Sequence, residues 1–547
     1  SRHRSIMSSG GGARGGERPD VAFAELMMPK IMDYMRGSAD DTEPVVKLAD
    51  PVEIAAAFDS VAGVSLAIDD QQAVVDSEAL LKAVEVVSSF SVRTSSPGFN
   101  NQLYGAVDFV GVAGDWLATA LNANVHTYEA GPVFTLLERA VVAKVAGVVG
   151  GGFVEVLGGE EKTAEGLLLA GGSMANLYGM QLARHWKAPE TKAGGNAAAP
   201  LPLLAFCSAE AHYSYVKAAN LMGLGTDNLV KVPCDPLTGA MDVQALDELL
   251  TTEMAVGKRL PFFVGATAGS TVLGAFDPFK DIADLCAKHR VWMHVDGAWG
   301  GAVLFSRNQR HLADGVERAD SFCWNPHKTL GAPLQNTVFV TQIKHCGLLR
   351  SANSANAAYL FQPDKNFGEF DLGDLTLQCG RRADALKLWM MWKALGDKGV
   401  ERRVDWNTHL TKYMAKQLKA RKDAKGRRCF MVTCKPQFAN LCFYTIPPSL
   451  REAVAPGLES SPDPAEADDH ALLKDEQVLA LGKVSTIVKD RMQRQGKALV
   501  GFQPVRTSGR VLSNCWRMVV AGNREETFSE AYIDQILQDM LDLSEDL

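Results

Sequence analysis

Between Phe99 and Gly396 the chain alternates short strand-like runs with longer stretches of helical period, and this alternation limits the fold more than any other feature. Seven runs stand out: "GLLLAGG", "LPLLAFCSAE", "NLVKVP", "LPFFVGATAG", "VWMHVDGAWGG", "SFCWNPHK" and "TVFVTQ". Most are apolar and bounded by glycine, proline or asparagine. Strands separated by helices do not pair as hairpins; they assemble into a mainly parallel sheet wrapped by helices. Functional groups then collect at strand ends and in the loops that follow them.

The flanks read differently. From "VAFAELMMPKIMDYM" to "LLKAVEVVSSF" apolar residues recur at helical spacing, so residues 21–98 are expected to be a helical N-terminal segment. Residues 99–396 form the large domain, and residues 397–547 combine helical runs with strands such as "CWRMVVAG" and read as a smaller α+β domain. Residues 1–20, basic and rich in serine and glycine, read as a disordered leader or the stub of an organellar transit peptide. The chain is therefore expected in the cytoplasm, or in a plastid or mitochondrion if that leader is a targeting remnant. Two proline-containing stretches, 188–202 and 447–473, read as surface insertions.

Composition removes several functions. The net charge is −8, which offers no general attraction to nucleic acid or an anionic membrane. Apolar stretches are broken before the ~20 residues that a membrane span requires. The 10 cysteines include no C-x-x-C pair and the 11 histidines no H-x-x-x-H or H-x-H pair, so neither a zinc ribbon nor a histidine-metal centre is expected. An anionic ligand would have to be held locally.

Lys328, in "SFCWNPHKTLGAP", follows an apolar strand that ends at the ligand crevice of such a sheet. Desolvation there favours a neutral amine able to condense with an aldehyde. A pyridine-type electron sink needs its ring nitrogen kept protonated by a buried carboxylate, and Asp296 ends the strand one crossover earlier. In "LLLAGGSMANLYG" a strand runs into Gly171-Gly172 and then Ser173, where a helix can start and hold an anion. His212 in "SAEAHYSYVKAA" is a planar partner for a ring. Each feature alone has an ordinary use: a turn, a helix cap, a tight bend or a packed core histidine. The order of all four along one chain is far more specific. The glycine-serine turn also lacks the second glycine of G-x-S-x-G, which disfavours a serine hydrolase.

With "NPHKTLGAPLQ", "HVDGAWGGAVLFSRNQRHL", "ATAGSTVLGAFDPF", "FNNQLYGAVDFVGVAGDWLATALNANVHTYEAGPVF" and "LGDLTLQCGRRADALKLWMMWKALG", the chain resembles the pyridoxal-phosphate-dependent decarboxylases that act on glutamate and cysteine sulfinate. The resemblance implies the aspartate aminotransferase-like α/β fold (fold type I), with a seven-stranded large domain, and an intertwined homodimer with sites at its interface. It implies that Lys328 binds pyridoxal 5′-phosphate as a Schiff base, that Asp296 pairs its ring nitrogen and that His212 stacks on the ring. Gly172, Ser173 and Met174 would hold the phosphate, with Thr267, Ala298, Asn325 and His327 lining the cofactor site. Arg517 would engage a substrate carboxylate, and Gln102, Tyr104, Asn124 and His126 would complete the substrate pocket. Bulky Tyr104 resembles the aromatic residue of the cysteine sulfinate enzymes and favours a short acidic substrate, cysteine sulfinate or aspartate, over glutamate.

One departure bears on the product. Where the resemblance puts a proton-donating tyrosine, the loop "DKNFGEFDLGD" has Phe367 and Phe370. Amino-acid decarboxylation through a quinonoid remains the expected reaction, with His212, Lys328 or water supplying the proton. The alternative is decarboxylation-dependent oxidative deamination to an aldehyde. A non-catalytic binding protein on the same fold is a further reading, opposed by the retention of Lys328, Asp296 and His212, and aminotransfer is another chemistry that this fold supports.

Overall fold

The structure, a computed structural model, describes residues 19–68, 75–157, 160–355, 357, 359–361, 365–459, 473–507 and 510–547. At its centre lies a seven-stranded sheet. Its order is Gly166–Leu169, Thr337–Thr341, Ser321–Trp324, Trp292–Gly297, Leu260–Thr267, Leu203–Ser208 and Leu229–Val232. Thr337–Thr341 runs antiparallel to both neighbours, and the last five strands are mutually parallel. This is the mainly parallel seven-stranded sheet that the alternation and the resemblance implied.

The strands are apolar throughout because both faces are covered. Leu204, Phe206, Val264, Ala266, Met293, Val295, Phe322 and Trp324 face one core. Leu203, Ala205, Cys207, Phe263, Trp292, Cys323 and Phe339 face the other. The period of two thus survives within runs that show no polar alternation. The helix Gly172–Lys187 packs across the second face. It comes close at Gly179, where a Cβ would lie 2.8 Å from the His294 ring.

A buried ion pair secures the edge strand that feeds this helix. Arg381 and Glu138, 6% and 1% exposed, are hydrogen-bonded, and Glu138 also accepts from the Leu168 amide at 2.9 Å. Arg381 in turn donates to the carbonyls of Val125 at 2.9 Å and Leu168 at 3.1 Å. Three segments remote in sequence therefore meet at one charge pair.

A second sheet has the order Phe99–Asn100, Leu499–Thr507, Arg510–Val519, Asn440–Thr445 and Phe430–Val432. Phe99–Asn100, placed by sequence at the start of the large domain, pairs in parallel with Leu499–Thr507 instead; a two-residue strand carries no periodic signal. Fully buried Arg524 reinforces that seam by donating to the carbonyls of Ser96 and Phe99. Near the boundary expected at residue 396, the helical residues Ala385–Ala420 are two helices that meet at a kink at Gly396, whose φ of 62° and ψ of 174° are non-helical.

Other local expectations shift as well. The first helix, Pro19–Gly37, begins with a proline in the first turn, just before the expected boundary, and residues 1–18 of the leader lie outside the described residues. Stretch 188–202 contains the short helical turns Thr191–Gly194 and Asn196–Ala198. They are pinned because Asn196 bonds the Arg184 side chain at 3.0 Å and the Met222 carbonyl at 2.7 Å. Stretch 447–473 opens as the helix Pro448–Glu459, and residues 460–472 lie outside the described residues. Among the described residues no helix is long and apolar enough to cross a membrane.

Glu138→Ala would leave the Arg381 guanidinium buried without its counter-charge. The unfolding free energy should fall by about 3–5 kcal/mol, read as a lower urea midpoint.

Candidate active site

Five strands of the large sheet deliver their following residues to one cavity of about 200 Å3. Gly172, Ser173 and Asn176 come from the helix after Gly166–Leu169, and His212 and Tyr213 follow Leu203–Ser208. Thr267, Gly269 and Thr271 come from the end of Leu260–Thr267, while Asp296, Ala298 and Trp299 come from the end of Trp292–Gly297. Asn325 and Lys328 follow Ser321–Trp324. Every contribution lies at a carboxyl end, where parallel strands open their crevice. The register places Thr267 opposite Asp296 and Asp296 opposite Cys323.

Lys328 sits on a turn held from below. Its amide donates to Asn325 O at 3.0 Å, and the next carbonyls, Thr329 O and Leu330 O, accept from Asn407 at 3.2 Å and Arg403 at 3.1 Å. Gly331 has φ of 80° and lies so close to Ala106 that a Cβ would meet its carbonyl at 2.6 Å, which reserves the position for glycine. Enclosure by protein pushes the Lys328 amine below its ordinary value. The negative charge of Asp296 opposes that shift, and the positive charge of Arg517 adds to it. A neutral amine, the form that attacks an aldehyde, is thereby favoured.

Asp296 is buried but well bonded. One carboxylate oxygen accepts from the Ala298 amide at 3.0 Å and the other from Asn176 Nδ2 at 2.7 Å. His212 shares a hydrogen bond with Ser214 Oγ at 2.9 Å. Burial lowers its pKa, with Asp296 acting in the opposite direction and Lys328 in the same one. These mutual influences place Lys328, Asp296 and His212 around one space.

An anionic coenzyme fits this space. The helix Gly172–Lys187 begins with Gly171 as its N-cap, φ 97°, and no side chain caps it. Its first amides and the positive end of its dipole are therefore free to hold a phosphate. A Cβ on Gly172 would meet Ala298 and Asn325 at 3.0 Å, so a larger residue would crowd the cradle. The buried Thr267 hydroxyl has no partner in the protein and is open to a ligand. Its amide is fixed by Asp277 at 2.7 Å, whose own pKa burial raises to about 7.

The structure thus gathers Gly172, Ser173, His212, Thr267, Asp296, Ala298, Asn325 and Lys328. Ser173 is not the first residue of the helix: Gly172 is, because Gly171 takes the positive φ that serine rarely adopts. Met174 packs against the core beside the cavity, and His327 lies behind it, its Nδ1 2.5 Å from the Asn336 carbonyl oxygen and 3.0 Å from the Asn336 amide nitrogen. The expected substrate residues do not line the cavity. Gln102 is exposed and Tyr104 packs 5.6 Å from the Phe99 ring. Asn124 accepts from the Arg381 amide at 2.8 Å, and His126 has its buried Nδ1 unpartnered. Arg517 approaches from the second sheet, donating to Thr271 O at 3.0 Å and Asn101 O at 2.8 Å. Phe367, 58% exposed with φ of 62°, packs on Tyr128 outside the cavity.

Sequence reasoning missed Asn176, Tyr213, Gly269, Thr271 and Trp299. Asn176 had a detectable signal, since it lies three residues after Ser173 on the same helix face; the others are loop residues without a period.

The fold is that of the pyridoxal-phosphate-dependent enzymes of fold type I, with the coenzyme crevice at the carboxyl edge of the sheet. Within that class, the chain belongs to the pyridoxal-dependent decarboxylase family, whose conserved domain matches residues 66–446. It is 40% identical over 469 residues to human cysteine sulfinic acid decarboxylase, covering 86% of each chain. It is also 40% identical over 471 residues to the mouse enzyme of that name, again covering 86% of each. The crystal structure of mouse CSAD superposes with a TM-score of 0.83 at 37% identity, covering 96% of this chain and 99% of that one. Rice TDC with PLP and tryptamine shares the fold at 23% identity, with a TM-score of 0.78 and coverage of 97% and 99%. The protein is a carboxy-lyase acting on an amino acid, and its cofactor is pyridoxal 5′-phosphate.

Two buried histidines set an acid limit on stability. Burial pushes His294 and His327 from 6.5 down to about 4, so between those values the unfolded chain binds more protons than the folded one. Stability should rise with pH through that window and be lost as pH falls from 6.5 toward 4, by on the order of 3 kcal/mol per histidine. Urea denaturation across this range should show the slope, and His294→Gln should remove about half of it.

Proposed function

We propose that the enzyme removes the α-carboxylate of cysteine sulfinate, giving 2-aminoethanesulfinate and carbon dioxide, and that it works as a homodimer. The observation that carries the substrate is the 40% identity, over 86% of each chain, to cysteine sulfinic acid decarboxylases. When bound, the coenzyme supplies an electron acceptor for the pair released as the bond to the carboxylate breaks.

The chain's own groups do the rest. Lys328 offers an amine whose hold on its proton is weakened by burial, both to anchor the coenzyme covalently and, once displaced, to carry a proton at Nζ. Asp296 keeps a positive charge favourable at the end of the central strand, and His212 presents a flat face. Arg517 reads the acid of the substrate: its terminal nitrogens are steadied by Thr271 O and Asn101 O, and its buried Nε has no partner in the protein. The remaining fork suits a sulfinate or carboxylate. Tyr104, which lies outside the cavity within one chain, would shorten the pocket for the side chain in the dimer.

The dimer rests on exposed structure. The helices Pro51–Asp59 and Ser77–Phe90 bury none of their residues, while Val52, Leu80 and Val87 are 75%, 37% and 52% exposed. Burying such side chains is favourable at about 25 cal/mol per Å2. A second copy would cover them and bring the loop of Phe367 to a cavity that it does not reach within one chain.

Phe367 carries a second reading. Without a phenol on this loop, a slow proton delivery lets dioxygen take the electron pair instead and leave as hydrogen peroxide, and one water then releases aldehyde and ammonia beside the carbon dioxide.

Incubation under air with cysteine sulfinate, aspartate and glutamate should give fastest gas release from cysteine sulfinate, amine equal to carbon dioxide and no peroxide. A preference for glutamate would overturn the substrate, and peroxide equal to carbon dioxide would replace the product. Tyr104→Ser should raise the kcat/KM ratio of glutamate to cysteine sulfinate at least about tenfold, or about 1.4 kcal/mol. Light scattering should give twice the chain mass of 59.0 kDa; a fully active monomer would remove the dimer.

A further inference from the structure

Behind the cavity runs a line of buried polar side chains whose hydrogens all have a fixed direction. The Asp296 carboxylate only accepts, so Asn176 must turn its amide nitrogen toward it, at 2.7 Å. The same nitrogen reaches Ser214 Oγ at 2.8 Å. This orientation places Asn176 Oδ1, an acceptor, 3.0 Å from His294 Nε2, which must therefore carry a hydrogen. Burial lowers His294 to about 4, so at neutral pH the ring holds one hydrogen and Nδ1 is bare. That nitrogen accepts from Ser321 Oγ at 2.8 Å, which itself accepts from Trp292 Nε1 at 2.9 Å, a group able only to donate.

At the cavity end the direction is equally fixed. The Ser214 amide donates to His212 Nδ1 at 3.3 Å, which makes that nitrogen an acceptor, and Ser214 Oγ, which accepts from Asn176, then turns its own hydrogen to the same nitrogen at 2.9 Å. The Cys323 thiol, 3.8 Å from both Asn176 Oδ1 and Asp296 Oδ1, can only add a hydrogen to those acceptors. Close approach at Gly179 and the rings of Phe263 and Phe339, each with its centroid 6.1 Å from that of His294, enclose the line.

We infer that this directed chain, from Trp292 through Ser321, His294, Asn176 and Ser214, locks His212 as the neutral tautomer with its hydrogen on Nε2. Asn176, Ser214, His294 and Ser321 are then positioning residues for His212 and Asp296. A ring whose Nδ1 is occupied by two donors has no place there for a further proton. His212 offers the cavity a hydrogen bond from Nε2 but is not a proton reservoir, and the proton that replaces the departing carboxylate comes from another group. That last consequence rests on the decarboxylase reaction; the tautomer does not.

The test is nitrogen NMR of the full chain labelled with nitrogen-15 in its histidine rings, with and without the coenzyme. The His212 signals are assigned by their loss in His212→Gln. The wild type should show a bare Nδ1 and a protonated Nε2, unchanged across neutral pH. His294→Leu, which leaves Asn176 Oδ1 without its donor and Asn176 held by Asp296 alone, should weaken the single-tautomer signature, His294→Gln, which keeps one donor and one acceptor, should restore it, and Ser214→Ala, which removes the hydroxyl at Nδ1, should weaken it most. A hydrogen on Nδ1 in the wild type would overturn the inference, as would an identical signature in both His294→Leu and Ser214→Ala. Should His294→Leu fail to fold, the wild type and Ser214→Ala decide. A purely structural role for these residues would lower stability without moving the His212 shifts. An inactive chain with the expected shifts would count against the proposed reaction and leave the tautomer standing.

Discussion

A buried carboxylate at the end of a central strand governs the rest of this site. Asp296 is only 5% exposed, and a charge so buried is tolerated only when its oxygens are bonded and a positive partner is near. The Ala298 amide and Asn176 satisfy the oxygens. Lys328 feels the charge across the cavity, and a pyridine nitrogen fits the same demand. The carboxylate thus links the backbone of the turn after its strand, the helix laid over the sheet and the coenzyme that the family uses.

That arrangement requires the large sheet to be aligned to within a residue. One step of register would exchange Asp296 with Val295 and send the carboxylate into the opposite core. The alignment is protected by two fully apolar faces and by charge pairs that join distant segments. Glu138 with Arg381 holds the edge strand. Asp108 with Arg403 holds the turn that carries Lys328: Arg403 donates to Asp108 at 2.6 Å, and the Asp108 amide donates to Gly331 O at 2.8 Å. These buried pairs contribute specificity of assembly as much as stability, because each leaves an unpaired charge in any misaligned state.

Much of the site was legible from residue order. Lys328, Asp296, His212 and the glycine-serine turn are separated by whole strand-helix units, and a parallel sheet returns every such unit to one edge. The helix whose N-terminus fits a phosphate starts at Gly172 instead of Ser173, because a positive φ at Gly171 is a backbone property that residue type only suggests. Asn176 and Ser214 escaped notice because their roles depend on which hydrogen faces which acceptor. The hairpin Val154–Leu157 with Glu160–Thr163 was hidden in an apolar run that also contains the end of a helix. The parallel pairing of Phe99–Asn100 with Leu499–Thr507 joins segments remote in the chain and leaves no local trace.

The sequence by itself determined the layered α/β architecture, the family and the lysine, carboxylate and histidine at strand ends, because hydrophobic period and chemical type are local properties of the chain. Tertiary structure alone decided the desolvation of Lys328, the bonded state of Asp296, the line of hydrogens behind His212 and the distance of Phe367 from the cavity. Those depend on the solvent that neighbouring segments exclude and on the side chains they bring into contact. Neither quantity exists until remote parts of the chain have packed.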